Sequence, residues 1–354
     1  MTQTLAIQKA PTREEAFRLM RTKLAGIVPD FELQMKADLA FEINRLKAEL
    51  NAVILGHNYM EPALFHSVPD YVGDSLELSR ISTQTDADII VFCGVQFMAE
   101  TAKILNPGKT VLIPSQKAGC SLAAGVTADD VRKLKALYPG VPVISYVNTY
   151  ADVKALTDYC CTSGNAAKVV RHVLDLGHKH VIFLPDEYLG RNTAKEMGLP
   201  FVLANAEKAV ATPECAVIGW SARCEVHELF TVEDVTMARR QFPDVLIVAH
   251  PEVSPEVLEV CDAAGSTKQM IEYVRTSDAK RYLLLTECSM GDNIAAENPE
   301  KEMLRLCSHR CPHMGQITLE DTLEALQKIQ YKVELPEQII RDARLSIDRM
   351  LEIR

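Results

Sequence analysis

The sequence predicts an α/β protein built from three copies of one plan, and three observations carry that prediction. A short apolar run ending in a polar pair, then a small turn and a helical pattern, occurs at VILGHNYMEPALFHSVPDYVGDSLELSR from Val53, at VISYVNTYADVKALTDYCCTSGNAAKVV from Val143, and at LIVAHPEVSPEVLEVCDAAGSTKQMIEYV from Leu246. Each copy continues to a second apolar run, ADIIVFCG, KHVIFLPD or RYLLLTEC, followed by a helical stretch that in two copies contains Thr-Ala-Lys, at 101–103 and 193–195. Each copy then closes near a cysteine, Cys120, Cys224 or Cys311, which falls 67, 81 or 65 residues after the start of its first strand. Strands alternating with helices in register across three repeats are the pattern of a triplicated α/β fold.

At 354 residues the chain has room for two or three cores. The expected division is an N-terminal segment 1–50 with an amphipathic helix, repeats at 51–122, 123–224 and 225–317, and C-terminal helices at 318–354 that pack back on the first repeat. A net charge of -10 argues against a nucleic-acid or anionic-membrane surface. No apolar run is long enough to span a membrane, and the N-terminal stretch MTQTLAIQKAPTREEAFRLMRTKL lacks the apolar core of a secretory signal. Ten scattered cysteines read as reduced thiols or metal ligands of a cytoplasmic protein rather than a disulfide framework. Cys93, Cys160, Cys161, Cys215, Cys261 and Cys288 sit in or beside apolar runs, where cysteine behaves as a small hydrophobe.

The chain opens on a helical pattern over residues 13–50, with Phe31, Leu33, Met35, Leu39, Ile43, Leu46 and Leu50 three or four apart among charges. The first strand then delivers Gly56-His57-Asn58-Tyr59. Side chains two apart on an extended strand end share a face, so His57 pairs with Tyr59. The corresponding pairs are Tyr146 with Asn148 and His250 with Glu252. A lone histidine would pass as a core residue. Three polar pairs at strand ends point instead to a ligand, because α/β sheets bind ligands at the carboxyl ends of their strands.

Next in each copy comes a small polar turn opening a helix: Gly73-Asp-Ser75, Thr162-Ser163-Gly164 and Gly265-Ser266-Thr267. Plain helix capping explains one such turn. Three in register point to a ligand with several carboxylate or phosphate groups, since helix starts favour anions. Neither GxxxxGK nor GxGxxG occurs, so a nucleotide has no support. The second copy is longer, and its surplus is placed at 191–214 as a surface elaboration. His227 follows Cys224 by three residues, on one face of a helix starting at Glu225. His66, His172, His178 and His180 read as surface or packing residues, and His309 and His313 flank Cys311.

Three cysteines on three loops fit either zinc or three corners of a 4Fe-4S cluster with an open fourth iron. No C-x-x-C occurs, and Cys307 with Cys311, three residues between them, is the pair nearest that spacing. Spacing leaves both metals open. A zinc hydrolase using Cys224 and His227, and an iron-sulfur redox protein with idle strand ends, are the rival readings.

The strings GHNY (56–59), GDSLELSR (73–80), FMAETAKIL (97–105), Cys120-Ser, SYVNT (145–149), CTSGNA (161–166), PDEYLGR (185–191), CEVHE (224–228), AHPE (249–252), AGST (264–267) and Cys311-Pro closely resemble the quinolinate synthase (NadA) family over roughly residues 50–350. The resemblance implies three homologous α/β/α sandwich domains in pseudo-threefold arrangement around a central cleft that contains a cluster. It implies condensation of iminoaspartate with dihydroxyacetone phosphate to quinolinate, phosphate and water in de novo NAD synthesis, with a functional link to an L-aspartate oxidase. It implies one oxygen-sensitive 4Fe-4S cluster per chain on Cys120, Cys224 and Cys311, whose open iron acts as a Lewis acid. His57, Tyr59, Tyr146, Asn148, His227, His250 and Glu252 match the family's substrate-contacting and proton-transferring positions. Ser75, Ser163, Ser266 and Thr267 match its carboxylate and phosphate contacts. Glu252 with Tyr59 is the expected proton shuttle. Some family members carry C-x2-C-x2-C before the last ligand; here that pattern is absent and Cys307 is left as a spare thiol.

Overall fold

The structure, a computed structural model, describes residues 6–353. The first five residues of the charged N-terminal stretch and Arg354 lie outside the described residues. Two helices, Arg13–Leu24 and Asp30–Glu49, replace the single pattern expected over 13–50. Gly26 takes a left-handed φ of +76°, open to glycine at little cost, and Pro29 precedes the second helix with no N–H to place. The buried face of that second helix is Leu33, Ala37, Ala40, Ile43, Asn44 and Lys47, while Phe31 and Met35 are exposed. Apolar spacing missed this face because two of its members are polar side chains with partners. Asn44 Nδ2 donates to Ser67 O at 3.1 Å, and Lys47 Nζ donates to Val68 O at 2.9 Å and Asp70 Oδ1 at 2.8 Å.

Strands β1 (Ala52–His57), β2 (Tyr71–Gly73), β3 (Ile89–Cys93) and β4 (Thr110–Leu112) form a parallel sheet in the order β2-β1-β3-β4. Strands β5 (Val143–Tyr146), β6 (Tyr159–Cys161), β7 (His180–Leu184), β8 (Phe201–Leu203) and β9 (Ala216–Gly219) form another, in the order β6-β5-β7-β9-β8. Strand β10 (Leu246–Ala249) pairs in parallel with β11 (Ala263–Ala264), and β12 (Arg281–Leu285) with β13 (Glu302–Leu304). The architecture is therefore α/β. Central strands such as β1, β3, β5 and β7 are buried nearly throughout, which is why they read as continuous apolar runs rather than as alternation. The surplus of the second copy is not only a surface elaboration: it adds the edge strand β8, and its first residues belong to helix Glu187–Glu196.

The described residues divide into two compact units, the chain through Gly119 with Ile271–Glu334, and Cys120–Met270 with the chain from Leu335. In the first unit, helix Leu319–Lys328 packs on helix Asp30–Glu49 and on β3. In the second, Val131, Leu134, Val143, Ile182, Leu184 and Ile218 form a buried cluster. The last helix, Glu337–Glu352, lies against β6 and helix Ala151–Lys154 of the second unit through Ala343, Ser346, Ile347 and Met350. Sequence placed all of 318–354 on the first repeat; an apolar stripe marks a buried face without naming the sheet it meets.

One bond pattern recurs at the start of three strands. Asp70 Oδ2 accepts from Ile54 N, Asp158 Oδ2 from Val143 N and Asp262 Oδ2 from Ile247 N, each at 2.8 Å. In return each aspartate N–H donates to the carbonyl of the same partner, at 2.8, 2.9 and 2.8 Å respectively. The edge strand after each aspartate is thereby set in register with a central strand. Its polar turn then emerges beside the central strand's polar pair.

His66 lies in the first unit, buried, with Nδ1 3.5 Å from Glu297 Oε1. Burial pushes its ring down from 6.5 to about 4, against the pull of Glu297. Between those values the unfolded chain binds more protons than the folded one. Stability is therefore whole above 6.5 and falls as pH drops toward about 4. His66→Leu is expected to reduce that slope in urea unfolding measured across the acid range; an identical slope would contradict the assignment.

Candidate active site

In the second unit the polar ends of β5 and β10 meet the turn that carries Cys224. Glu252 and His250 follow β10 directly, and both are buried, as is Tyr146 at the end of β5. His227 opens a short 3-10 turn, His227–Leu229, just after Cys224. Its Nδ1 lies 2.7 Å from Glu252 Oε2 and 3.1 Å from Cys224 Sγ. The His227 and His250 rings stack at 4.8 Å, and His250 Nε2 lies 3.1 Å from Ser163 Oγ. The Tyr146 side chain also hydrogen-bonds the Glu252 carboxylate.

Electrostatics follow from this crowding. Burial pushes the Glu252 carboxyl up, but His250, His227 and the bond from Tyr146 outweigh it and hold the group down to about 2. Burial pushes His250 down to about 4, so its ring is neutral at neutral pH. Asp186 is fully buried beside Glu252; burial and then that neighbouring charge push its carboxyl well up, against N–H bonds from Leu189, Cys224 and Tyr188. Two neighbouring carboxyls are thus driven in opposite directions.

The helix starts expected at the polar turns are present in all three copies. Asp74 rather than Ser75 caps helix Ser75–Ser82, accepting from Glu77 N at 2.9 Å. The Thr162–Asn165 turn is closed by Thr162 N donating to Asn165 Oδ1 at 2.7 Å, which leaves Ser163 to His250. Ser266 and Thr267 are buried at the start of helix Thr267–Thr276, where Ser266 Oγ accepts from Gln269 N at 3.4 Å. Gly164 packs so closely on Ser266 that an added Cβ would lie 3.3 Å from the serine, so these two turns of the second unit are neighbours.

Cys120, Cys224 and Cys311 form no disulfide and are half-buried. Each accepts backbone N–H bonds from the residues that follow. Ala123 N donates to Cys120 Sγ and Met314 N to Cys311 Sγ, each at 3.5 Å, and Cys224 takes bonds from His227 and Val226. Hydrogen bonds of this kind stabilise thiolate ligands. Burial, then Glu252, pushes the Cys224 thiol well up, and a bound cation would pull the other way by favouring the thiolate. This donor set fits a thiolate-bound metal group. Ligand atoms of Cys224, His227 and Glu252 lie within 4.8 Å of one another, close enough to share one ion.

The first unit carries the remaining site candidates. His57 and Tyr59 meet edge to face at 4.7 Å, Tyr59 N donates to His57 Nδ1 at 3.2 Å, and Tyr59 Oη is 2.6 Å from Thr286 Oγ1. Cys288 and Cys307 are not free thiols: they form a disulfide across 19 residues. This departs from the reading of Cys288 as a packing residue and Cys307 as a spare thiol. The two lie too far apart in sequence to show a motif, and come together because Cys288 starts helix Cys288–Glu297 close to the segment after β13.

Comparison with known proteins decides the family. A family model described as "Quinolinate synthetase A protein" matches residues 41–352. The chain belongs to that family. It is 50% identical over 311 residues to the quinolinate synthase of Xylella fastidiosa (strain 9a5c), covering 88% of this chain and 86% of the relative. It is 47% identical over 331 residues to that of Agrobacterium fabrum (94% and 90%), and 47% over 350 residues to that of Sinorhizobium fredii (99% and 91%). As a quinolinate synthase family member the chain is an enzyme of that kind, and among its described residues no helix is long and apolar enough to cross a membrane.

Against this family background, two acids escaped the sequence reading. Asp186 and Glu287 stand at the ends of β7 and β12, each capping the helix that follows, with Leu189 N on Asp186 Oδ1 at 2.6 Å and Ser289 N on Glu287 Oε2 at 2.7 Å. Each also takes a backbone bond from its copy's cysteine, Cys224 for Asp186 and Cys311 for Glu287. Burial pushes Glu287 up as it does Asp186. The signal was an acid directly after an apolar run, PDE and TEC, which capping alone accounts for.

His227→Phe is expected to destabilise the protein by about 3 kcal/mol or more, because it leaves Glu252 buried without its closest partner. Combining it with Glu252→Gln should recover most of that loss in equilibrium unfolding. Strictly additive effects would show that the two side chains are not coupled.

Proposed function

We propose that the chain condenses iminoaspartate with dihydroxyacetone phosphate to quinolinate, releasing phosphate and water, in de novo NAD biosynthesis. The observation that carries this reading is the buried set of Glu252, His227, His250 and Tyr146 with half-buried Ser163 beside it, in which a carboxylate is kept ionised beside a neutral imidazole and a half-buried thiol. Such a set suits proton removal next to a carbonyl. Cys120, Cys224 and Cys311 are the proposed holders of one oxygen-sensitive 4Fe-4S cluster per chain. When bound, a cluster with one iron free of cysteine supplies a Lewis acid for the loss of water.

The protein's own residues divide the remaining work. Glu252 takes the substrate proton as base, since its low pKa keeps it anionic at neutral pH, and Tyr59 returns a proton as the phenolic acid. His57, Tyr146, Asn148, His227 and His250 orient the substrates. Ser75, Ser163, Ser266 and Thr267, at or beside helix starts, receive carboxylate and phosphate groups. The recurring aspartate bonds support reading 51–122, 123–224 and 225–317 as three copies of one α/β/α sandwich, in the pseudo-threefold arrangement that the resemblance implies. A cytoplasmic setting and supply of iminoaspartate by an L-aspartate oxidase belong to the same proposal.

A second reading takes Cys224, His227 and Glu252 as three ligands of a catalytic zinc. The test is an anaerobic assay with iminoaspartate generated in place and dihydroxyacetone phosphate, following quinolinate and phosphate together. Wild type is expected to form both, and Glu252→Gln to lower kcat by about a hundredfold or more. Zinc in the purified protein with no quinolinate formed would favour the second reading, and full activity of Glu252→Gln would remove the base assignment.

A further inference from the structure

The second polar residue of each strand-end pair is held from behind by one buried nitrogen. In the first unit Asn293 Nδ2 donates to Asn58 O at 3.1 Å and to Met60 O at 2.9 Å, bracketing Tyr59. In the second unit Asn192 Nδ2 donates to Pro251 O and Val253 O, both at 2.9 Å, bracketing Glu252. Also in the second unit, Lys154 Nζ donates to Val147 O at 2.8 Å and to Thr149 O, bracketing Asn148. Three different stretches of sequence thus deliver the same pair of bonds to the carbonyls just before and just after the same position of the turn.

We propose that Asn192, Asn293 and Lys154 are positioning residues, which fix the direction of the Glu252, Tyr59 and Asn148 side chains. Peptide units are planar, so pinning the carbonyl before a residue fixes the plane that leads into its Cα, and pinning the carbonyl after it fixes the plane one further on; for Glu252 and Tyr59 the plane between is held by Val253 N donating to His250 O at 3.1 Å and Met60 N to His57 O at 3.0 Å. The Cα–Cβ direction then has little freedom left. A single bond would hold one plane and let the residue swing about the other.

Three further observations raise this above the ordinary pairing of buried carbonyls. All three donors are buried, so no water competes for the bonds. Among the described residues the amide oxygens of Asn192 and Asn293 have no hydrogen-bond partner, so only the donor side of each amide is engaged and its two hydrogens serve the two carbonyls. Asn192 and Asn293 also occupy matching places in helices Glu187–Glu196 and Cys288–Glu297, which follow the second strand of their copies. Lys154 reaches its turn from a different element, the short helix Ala151–Lys154 just downstream, and its ammonium has donors enough for both bonds. An arrangement reached by two chemistries and two routes follows the bond pair rather than the helix. A site residue displaced by about 1 Å loses on the order of a hundredfold in rate, which is the scale of effect such a clamp controls.

The inference rests on the proposed reaction for its kinetic readout, and hydrogen exchange supplies a readout that needs no substrate. Asn192→Leu keeps the side chain's volume and removes both donors; Asn192→Ser retains one hydroxyl donor and serves if the leucine variant does not fold. In either folded variant, amide exchange across 250–254 is expected to speed up while the rest of the second unit keeps its wild-type protection, and kcat to fall tenfold or more with KM little changed. Asn293→Leu should do the same at 57–60. Unchanged exchange at the turn would overturn the proposal whatever the activity, and so would faster exchange spread evenly through the unit. If wild type itself makes no quinolinate, the reaction assignment fails, while exchange at the turn still decides the clamp.

Discussion

The structure of the second unit turns on a carboxylate placed where a carboxylate is costly. Glu252 is 2% exposed, and an unpaired charge at such depth costs several kcal/mol. Its hydrogen-bond partners come from other pieces of chain, His227 on the turn after Cys224 and Tyr146 at the end of β5. Neither can move far without stranding the charge. Asp186, buried nearby, is pushed the opposite way, its carboxyl raised by burial and by the charge of Glu252. Opposite shifts side by side are thus a consequence of where the partners stand, not of residue type, since both groups are carboxyls.

The scaffold reaches this arrangement with local devices used repeatedly. Asp70, Asp158 and Asp262 each tie an edge strand to its central neighbour. Parallel pairing then brings the polar pair of the central strand and the polar turn of the edge strand out at the same end. Helix starts follow at once, and the positive end of a helix favours anions. The cysteines obey a similar economy: each sits where N–H bonds from the next turn reach its sulfur, and two of the three lend their own N–H to a buried acid, Asp186 or Glu287.

Much of this was legible in the chain because repetition multiplies weak signals. His57 with Tyr59, or His250 with Glu252, means little alone, and three pairs in register with three serine-bearing turns point to a candidate site. The α/β class followed from apolar runs alternating with helical patterns. What escaped was whatever acts through the backbone. Asp186, Glu287, Asn192 and Asn293 bind main-chain groups far off in sequence, so no periodicity reports them. Asn44 and Lys47 hid the true face of their helix for the same reason: their polar ends satisfy carbonyls of a loop more than twenty residues away. The Cys288–Cys307 bridge and the seat of the last helix depend on which surfaces meet, and an apolar stripe or a lone thiol does not encode its partner.

The central claim is that Cys120, Cys224 and Cys311 hold one cluster that serves the buried acid and imidazoles. Iron and sulfide quantitation on anaerobically purified protein, with Cys311→Ala and Cys307→Ala side by side, tests it most directly. The account predicts about four iron and four sulfide per chain in wild type and in Cys307→Ala, with both lost in Cys311→Ala. Zinc in place of iron, or a cluster that survives Cys311→Ala, would contradict it.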